Sequence, residues 1–383
     1  MPERVYLDWN ATTPLRPEAK QAMASAWDIA GNPSSVHAEG RQARRLIEDA
    51  RAAVAAAVGG RPQDVVFTSG GTEANALALT PGVRRGAGQP ARRLLLSAIE
   101  HTSVLSGGRF PPEAIGTIDV TSSGLVDLDH LRRLLAEGPP ALVSVMLANN
   151  ETGAIQPILE VADIVHEAGG LLHVDAIQAF GKIPFEIKSM NADLITLSAH
   201  KIGGPKGVGA LVLCEDVQVE ALLRGGGQEL GRRAGTENVA GIAAFGAATA
   251  AAMAALAPDA QRLQSLRDQL EKGLMQTAGM IVFSLNVPRL PNTTLFTVPG
   301  LKAEIAVIGF DLGGIAVSSG SACSSGKVQP SHVLAAMGVA KDLAQGAVRL
   351  SLGWSTSEAD IDLTLQAWRK LADALLRGRR NTA

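Results

Sequence analysis

DLITLSAHKIGGPKGVGALVL, Asp193 to Leu213, decides the fold. DLITLS (Asp193 to Ser198) is a short apolar run of the kind that makes a strand buried on both faces, and GVGALVL (Gly207 to Leu213) is a second. Eight residues separate them, too few for the crossover that a parallel pair needs. The second strand is therefore expected to run antiparallel beside the first. Upstream, DVVFTS (Asp64 to Ser69), RLLLSAI (Arg93 to Ile99), ALVSVML (Ala141 to Leu147) and LLHVD (Leu171 to Asp175) are further buried strands. Helical patterns lie between them, the clearest being PILEVADIVHEAG (Pro157 to Gly169), which opens on Pro and stops at Gly. Strand and helix in alternation predict an α/β protein: a mostly parallel sheet with one antiparallel strand and helices on both faces.

The chain of 383 residues is 46% hydrophobic, which predicts more than one domain. We place an N-terminal arm at residues 1–15, a large domain at 16–257 and a smaller C-terminal domain at 258–383. The boundary is set at Pro258, where a charged helical stretch, DAQRLQSLRDQLEKGLMQTAG, follows an Ala-rich run. That run, residues 239–257, has no charge, but it is mainly Ala and Gly and gains little from lipid, so a closely packed helix is expected. With 35 basic and 37 acidic residues and no block of like charge, no nucleic-acid or membrane partner is expected. Two distant cysteines, Cys214 and Cys323, and an N-terminus without a signal-peptide pattern fit a reducing cytoplasm. The seven histidines and two cysteines show no metal-ligand spacing, so no metal is expected.

Ligands of open α/β sheets bind beyond the carboxyl ends of the strands, where this chain's polar motifs gather. In TSGGTEAN, Gly70, Gly71 and Thr72 stand where a helix begins. They read either as a phosphate cradle or as a turn and cap. His101 and Asn150 follow the next strands. HVDAIQ then brings Asp175 and Gln178 to the same edge. A buried carboxylate there needs a cation, either a protonated pyridine nitrogen or a core arginine. Ser198, His200 and Lys201 end the next strand, and a lysine at such a place suits an imine to an aldehyde cofactor. Lys206, further into the turn, is the weaker competitor. Cys323 lies among six serines in VSSGSACSSGKVQPSHVL, a polar setting for a reactive thiol that Lys327 would favour as thiolate; an ordinary loop cysteine is the other reading. Cys214, ending GALVLC, reads as core.

Together these motifs resemble the cysteine desulfurases of the NifS/IscS type, within the class V aminotransferase family of fold-type I pyridoxal-phosphate (PLP) enzymes. LDWNATTP, GNPSSVHAEGR, FTSGGTEAN, EHTS, NNETG, VDAIQ, SAHKIGGPKG, GGGQELGRRAGTEN, SSGSACSSG and VRLSLG occur in the family's order along nearly the whole chain. The resemblance implies the fold-type I transferase fold: a seven-stranded, mostly parallel sheet plus a smaller α+β C-terminal domain. It implies PLP held by Lys201, which also moves the substrate's Cα proton, with Asp175 on the ring nitrogen. Gln178 and Asn150 would touch the phenolic oxygen, and His101 would stack on the ring and shuttle protons. Gly71, Thr72, Ser198 and His200 would bind phosphate, joined by Thr236 from the second subunit of a homodimer. Arg349 would clamp the carboxylate of L-cysteine, and Asn32, with the arm, would close the mouth. Cys323 would take the sulfur as a persulfide, release alanine and pass the sulfur to an acceptor protein for iron–sulfur or other sulfur-cofactor assembly. The rivals are an aminotransferase or selenocysteine lyase of the same fold, which needs no thiol, and a non-catalytic binding protein. Leu230 stands where the family commonly has Arg, and the chain stops soon after its last helix, where housekeeping members carry a longer scaffold-docking tail.

Overall fold

The structure, a computed structural model, describes residues 4–320 and 331–376. Its main sheet has seven strands: β1 (Val65–Thr68), β2 (Leu94–Ser97), β3 (Ile115–Ile118), β4 (Leu142–Met146), β5 (Leu171–Asp175), β6 (Leu194–Ser198) and β7 (Gly209–Leu213). They lie in the order β1-β7-β6-β5-β4-β2-β3. Only β7 opposes its neighbours, pairing Gly209 with both Thr68 and Ser198. Two successive reversals leave β1 pointing the same way as β6, so the carboxyl ends of all the other strands share one edge. Both the expected antiparallel strand and the parallel remainder are present. Sequence reading overlooked β3: IGTI is a partly buried edge strand with a glycine, and no continuous apolar run marks it.

Six helices matter for the site: α1 (Pro17–Trp27), α2 (Ala38–Ala57), α3 (Gly71–Ala78), α4 (Ile158–Glu167), α5 (Val239–Leu274) and α6 (Glu358–Leu376). Pro258 does not separate two helices, as expected from sequence, but lies inside the 36-residue α5. Among the described residues α5 is the one helix long and apolar enough to cross a membrane by length and composition. Its Ala-rich half instead packs on α1 and α2, so closely that a Cβ on Gly246 would stand 2.6 Å from the Cα of Ala50. Small side chains are what permit that approach. Ile242, Phe245 and Ala252 join the core beneath the main sheet, with Ile47, Phe67 and Ile195. Leu263, Leu266 and Leu270, past Pro258, join a second core with Phe296, Phe310 and Trp368. That second body carries a four-stranded antiparallel sheet, β8 (Ile281–Val282), β9 (Thr293–Thr297), β10 (Ser318–Ser319) and β11 (Val348–Ser351), in the order β8-β9-β11-β10.

The N-terminal arm ties the two bodies together. Val5–Tyr6 pairs in parallel with Ile315–Ala316, and Val5 and Leu7 enter the second core. Trp9 is buried, edge-on to Trp354 with ring centroids 4.6 Å apart, and donates from Nε1 to the Tyr6 carbonyl at 2.8 Å. A Cβ on Gly353 would stand 1.9 Å from the Trp9 ring, which has nowhere to retreat. Gly353→Ala is therefore expected to unseat Trp9 and cost about 1–3 kcal/mol. Urea unfolding followed by tryptophan emission measures this, and an unchanged midpoint contradicts the packing described.

Candidate active site

At the shared carboxyl edge, a cavity of about 290 Å³ is lined by Gly71, Thr72, His101, Asn150, Asp175, Gln178, Ser198, His200 and Lys201, together with Ser103, Met146, Ala148 and Ile177. Nine of the residues singled out in the sequence thus meet at one place. A larger hollow of about 560 Å³ lies at the amino ends of β2, β4 and β5, lined by Arg85, Arg92, Pro140 and Gly170 among others. Its lining holds no acid, base or nucleophile, so the smaller cavity carries the chemistry.

Each strand end supplies its part for a local reason. Gly70 has φ +154°, a conformation open to glycine, and leads straight into α3. A Cβ on Gly71 would meet Ile177 Cδ1 at 2.3 Å and Ser198 Cβ at 3.5 Å, so the cradle exists only with glycine there. Gly71 and Thr72, at the start of α3, line the cavity together with Ser198, an arrangement suited to phosphate. His200 is held neutral, its pKa lowered to about 4 by burial and by the positive charges of Lys201, Lys206 and Lys182. Its carbonyl accepts from the amide of Thr13 at 2.9 Å and from its hydroxyl at 2.8 Å, which docks the arm against the site.

Burial lowers the Lys201 pKa to about 8, and the Arg349 charge adds to the effect. Its Nζ donates to the carbonyls of Asn10 and Ala11 at 2.5 and 2.8 Å. The competitor Lys206 is exposed and outside the lining. Asp175 is 5% exposed, and burial pushes its pKa up. Its carboxylate accepts from Asn75 Nδ2 at 2.9 Å and from the Ile177 amide at 3.0 Å. Among the described residues no arginine or lysine hydrogen-bonds to it, so the core-arginine alternative is not what the fold provides. His101 Nδ1 faces two donors of Ser103, the amide at 3.1 Å and the hydroxyl at 2.8 Å. Burial lowers its pKa, and the neutral ring therefore carries its proton on Nε2.

Residues that sequence reasoning missed hold this set in place. Asn10 is buried where both bodies and the arm meet. Its Nδ2 donates to Thr293 Oγ1 at 2.8 Å, its carbonyl accepts from Gln178 Nε2 at 2.9 Å, and its Oδ1 accepts from Lys182 Nζ at 2.8 Å. Lys182 also donates to Gln178 Oε1 at 2.7 Å, and burial lowers its pKa far below that of a free lysine. Asn10 lay inside the quoted LDWNATTP, and a buried asparagine beside a tryptophan was the available signal. Lys182 had none.

Three expected residues lie apart from the lining. Arg349 is 7% exposed, donates to Asp8 Oδ1 at 2.8 Å and to the Asn150 carbonyl at 2.9 Å, and leaves its buried Nε unpartnered. It reaches the site's rim rather than its floor. Thr236 and Asn32 are exposed and outside the cavity. Cys323 lies outside the described residues, as does Lys327. Leu230, where the family commonly has Arg, is 67% exposed at φ +57°, and the neighbouring Glu229 makes a buried pair with Arg51 at 2.7 Å. Cys214 is partly buried against both faces of the main sheet. No group of three metal-ligating side chains occurs among the described residues.

A glycine cradle at a helix start, a buried carboxylate awaiting a cation and a buried amine of lowered pKa define a PLP-dependent enzyme of fold type I. The aminotransferase class-V family model matches residues 5–364. The chain is 40% identical to cysteine desulfurase IscS of Dictyoglomus turgidum, over 98% of this chain and 96% of that one. The solved NifS-like protein of Rickettsia africae superposes with a TM-score of 0.89 at 39% identity, over 97% of this chain and all of that one. SspA, solved in complex with cysteine, gives 0.74 at 29% identity over 91% of this chain and 98% of its own. The chain belongs to the class V aminotransferase family, among its NifS/IscS-type cysteine desulfurases.

Glu151, in NNETG, gives a pH test of the site's rim. It is 2% exposed, its carboxyl accepts from Ser331 Oγ at 2.5 Å, and burial raises its pKa to about 7. A carboxyl that binds its proton more tightly when folded stabilises the fold fully below its unfolded pKa, and that stability is lost as pH rises through 7. Relative to Glu151→Gln, the wild type should lose about 3 kcal/mol of unfolding free energy between pH 4.5 and pH 7. Parallel curves for the two proteins would show that Glu151 does not titrate there.

Proposed function

We propose that this PLP-dependent cysteine desulfurase removes sulfur from L-cysteine with Lys201 and Asp175 as its cofactor anchors and Cys323 as its sulfur-accepting nucleophile. The observation that carries the reading is Lys201, of lowered pKa, and Asp175, without a cationic hydrogen-bond partner among the described residues, lining one cavity with the Gly71 cradle. Bound PLP supplies an electron sink for the negative charge that develops at the substrate's Cα and Cβ.

The chain's own groups do the rest. Asp175 would keep the ring nitrogen of bound PLP protonated, and Gln178 and Asn150 would hold its phenolic oxygen. The Lys201 amine, with a pKa of about 8, is deprotonated in a usable fraction near neutral pH and takes the Cα proton. His101, with its proton on Nε2, is placed to deliver one. Arg349 binds the substrate carboxylate in two-point fashion once Asp8 gives way. The Cys323 thiolate then attacks the substrate sulfur. The S–S bond forms as the Cβ–S bond breaks, the bonding pair stays with the substrate carbon, and protons delivered to Cβ and back to Cα complete alanine. The enzyme is left with a persulfide.

Four further readings go with this one. A homodimer would give the exposed Thr236 a neighbouring active site to serve. An acceptor protein for iron–sulfur or other sulfur-cofactor assembly would take up the persulfide sulfur, in line with the IscS relative. The split of apolar cores along α5 supports an arm at 1–15, a large domain at 16–257 and a small domain at 258–383. A cytoplasmic setting is in keeping with the sparse cysteines.

Alanine and sulfide release from L-cysteine, with a reductant present, tests the reaction. The wild type should release both, and Cys323→Ala should release neither. Equal activity in the two would establish a lyase that needs no thiol. For Arg349→Ala the KM for cysteine should rise about tenfold or more; an unchanged KM would remove Arg349 from substrate binding.

A further inference from the structure

Behind Asp175, away from the cavity, lies a buried polar chain that the reaction as described does not use. Asn75, Ser144, His173 and Thr196 are all fully buried. They come from α3, β4, β5 and β6, elements that the sheet register sets side by side, with Asp175 opposite both Met146 and Thr196. The contacts run unbroken: Asn75 Nδ2 to Asp175 Oδ2 at 2.9 Å, Thr196 Oγ1 to Asn75 Oδ1 at 2.6 Å, His173 Nε2 to Thr196 Oγ1 at 3.2 Å, and Ser144 Oγ to His173 Nδ1 at 2.8 Å.

With Asp175 ionised, as its proposed role requires, counting protons fixes the direction of every bond. A carboxylate accepts only, so Asn75 must turn its amino group to Asp175 and its carbonyl oxygen to Thr196. Thr196 has one hydroxyl proton and spends it on that oxygen. It can then only accept from the imidazole, which places the His173 proton on Nε2. Burial keeps His173 neutral, with a pKa of about 3, so Nδ1 is bare and accepts from Ser144. Every donor along the chain therefore points toward Asp175. A second branch leaves Asn75, whose amino group also donates to Ser103 Oγ at 2.9 Å, and Ser103 in turn donates to His101 Nδ1.

We propose that Ser144, His173, Thr196 and Asn75 form a one-directional hydrogen-bond relay that holds Asp175 as an acceptor, and so as the carboxylate that pairs with the protonated cofactor nitrogen. These are positioning residues. Reversing the relay would turn the Asn75 carbonyl toward Asp175 and favour its protonated form, which cannot stabilise a cationic ring nitrogen. Single buried hydrogen bonds are worth enough for the reversal to matter.

The inference rests on the role proposed for Asp175, and the test separates the two. The first arm is ¹⁵N NMR of the histidine-labelled holoenzyme, with His173 assigned by comparison with His173→Gln. His173 should be neutral with its proton on Nε2; a proton on Nδ1 overturns the relay. The second arm measures PLP dissociation from Thr196→Val, Thr196→Ser and Asp175→Asn. Val, which can neither donate to Asn75 nor accept from His173, should weaken PLP binding about tenfold and lower kcat with little change in the KM for cysteine. Ser should restore both. If Asp175→Asn weakens PLP binding but Thr196→Val matches the wild type, the relay is wrong and the anchor stands. If Asp175→Asn binds PLP as tightly as the wild type, the anchor itself is wrong, and the relay falls with it.

Discussion

A carboxylate shut away from water at the end of a strand sets the terms for this molecule. Asp175 is pushed toward its protonated form by burial, and two neutral donors, the Asn75 side chain and the Ile177 amide, only partly offset that push. A cation arriving from the cavity would complete it, and in the function proposed above that cation is the protonated ring nitrogen of PLP. The sheet serves this need. Reversal of β7 alone keeps the carboxyl ends of β1, β2, β4, β5 and β6 together, so that cradle, carboxylate and lysine reach one cavity from distant parts of the chain. The lysine sits in the turn that the reversal creates, which explains why a single stretch of sequence decides both fold and chemistry.

The second dependence is the arm. Asn10 bonds to residues of both bodies and accepts from Lys201 and Gln178, so the site's shape requires the arm to be seated. Trp9, Trp354 and Gly353 seat it by packing. Arg349 connects to the same corner through Asp8 and the Asn150 carbonyl. With the role proposed for Arg349, substrate carboxylate entering there would compete with Asp8 and so link binding of the amino acid to the position of the arm.

Much of this was legible in the sequence because buried parallel strands read as apolar runs, and polar residues just beyond them stand out. Lys201, Asp175 and Gly71 were found that way. What escaped had a physical reason. β3 is an edge strand with one glycine and incomplete burial, so its sequence lacks the signal of a core strand. Helix α5 continues through Pro258 because tertiary packing on either side outweighs the local cost of proline. Asn75, His173 and Thr196 alternate with apolar residues inside core elements, where one polar side chain cannot announce its partner. Their relation exists only in the register between strands.

The central claim is that Lys201 holds the cofactor in this cavity. Borohydride reduction of the purified enzyme fixes PLP to the lysine that carries it, and peptide mass spectrometry then locates the added mass. The account predicts modification of Lys201 alone; the mass on Lys206 or Lys182 would contradict it.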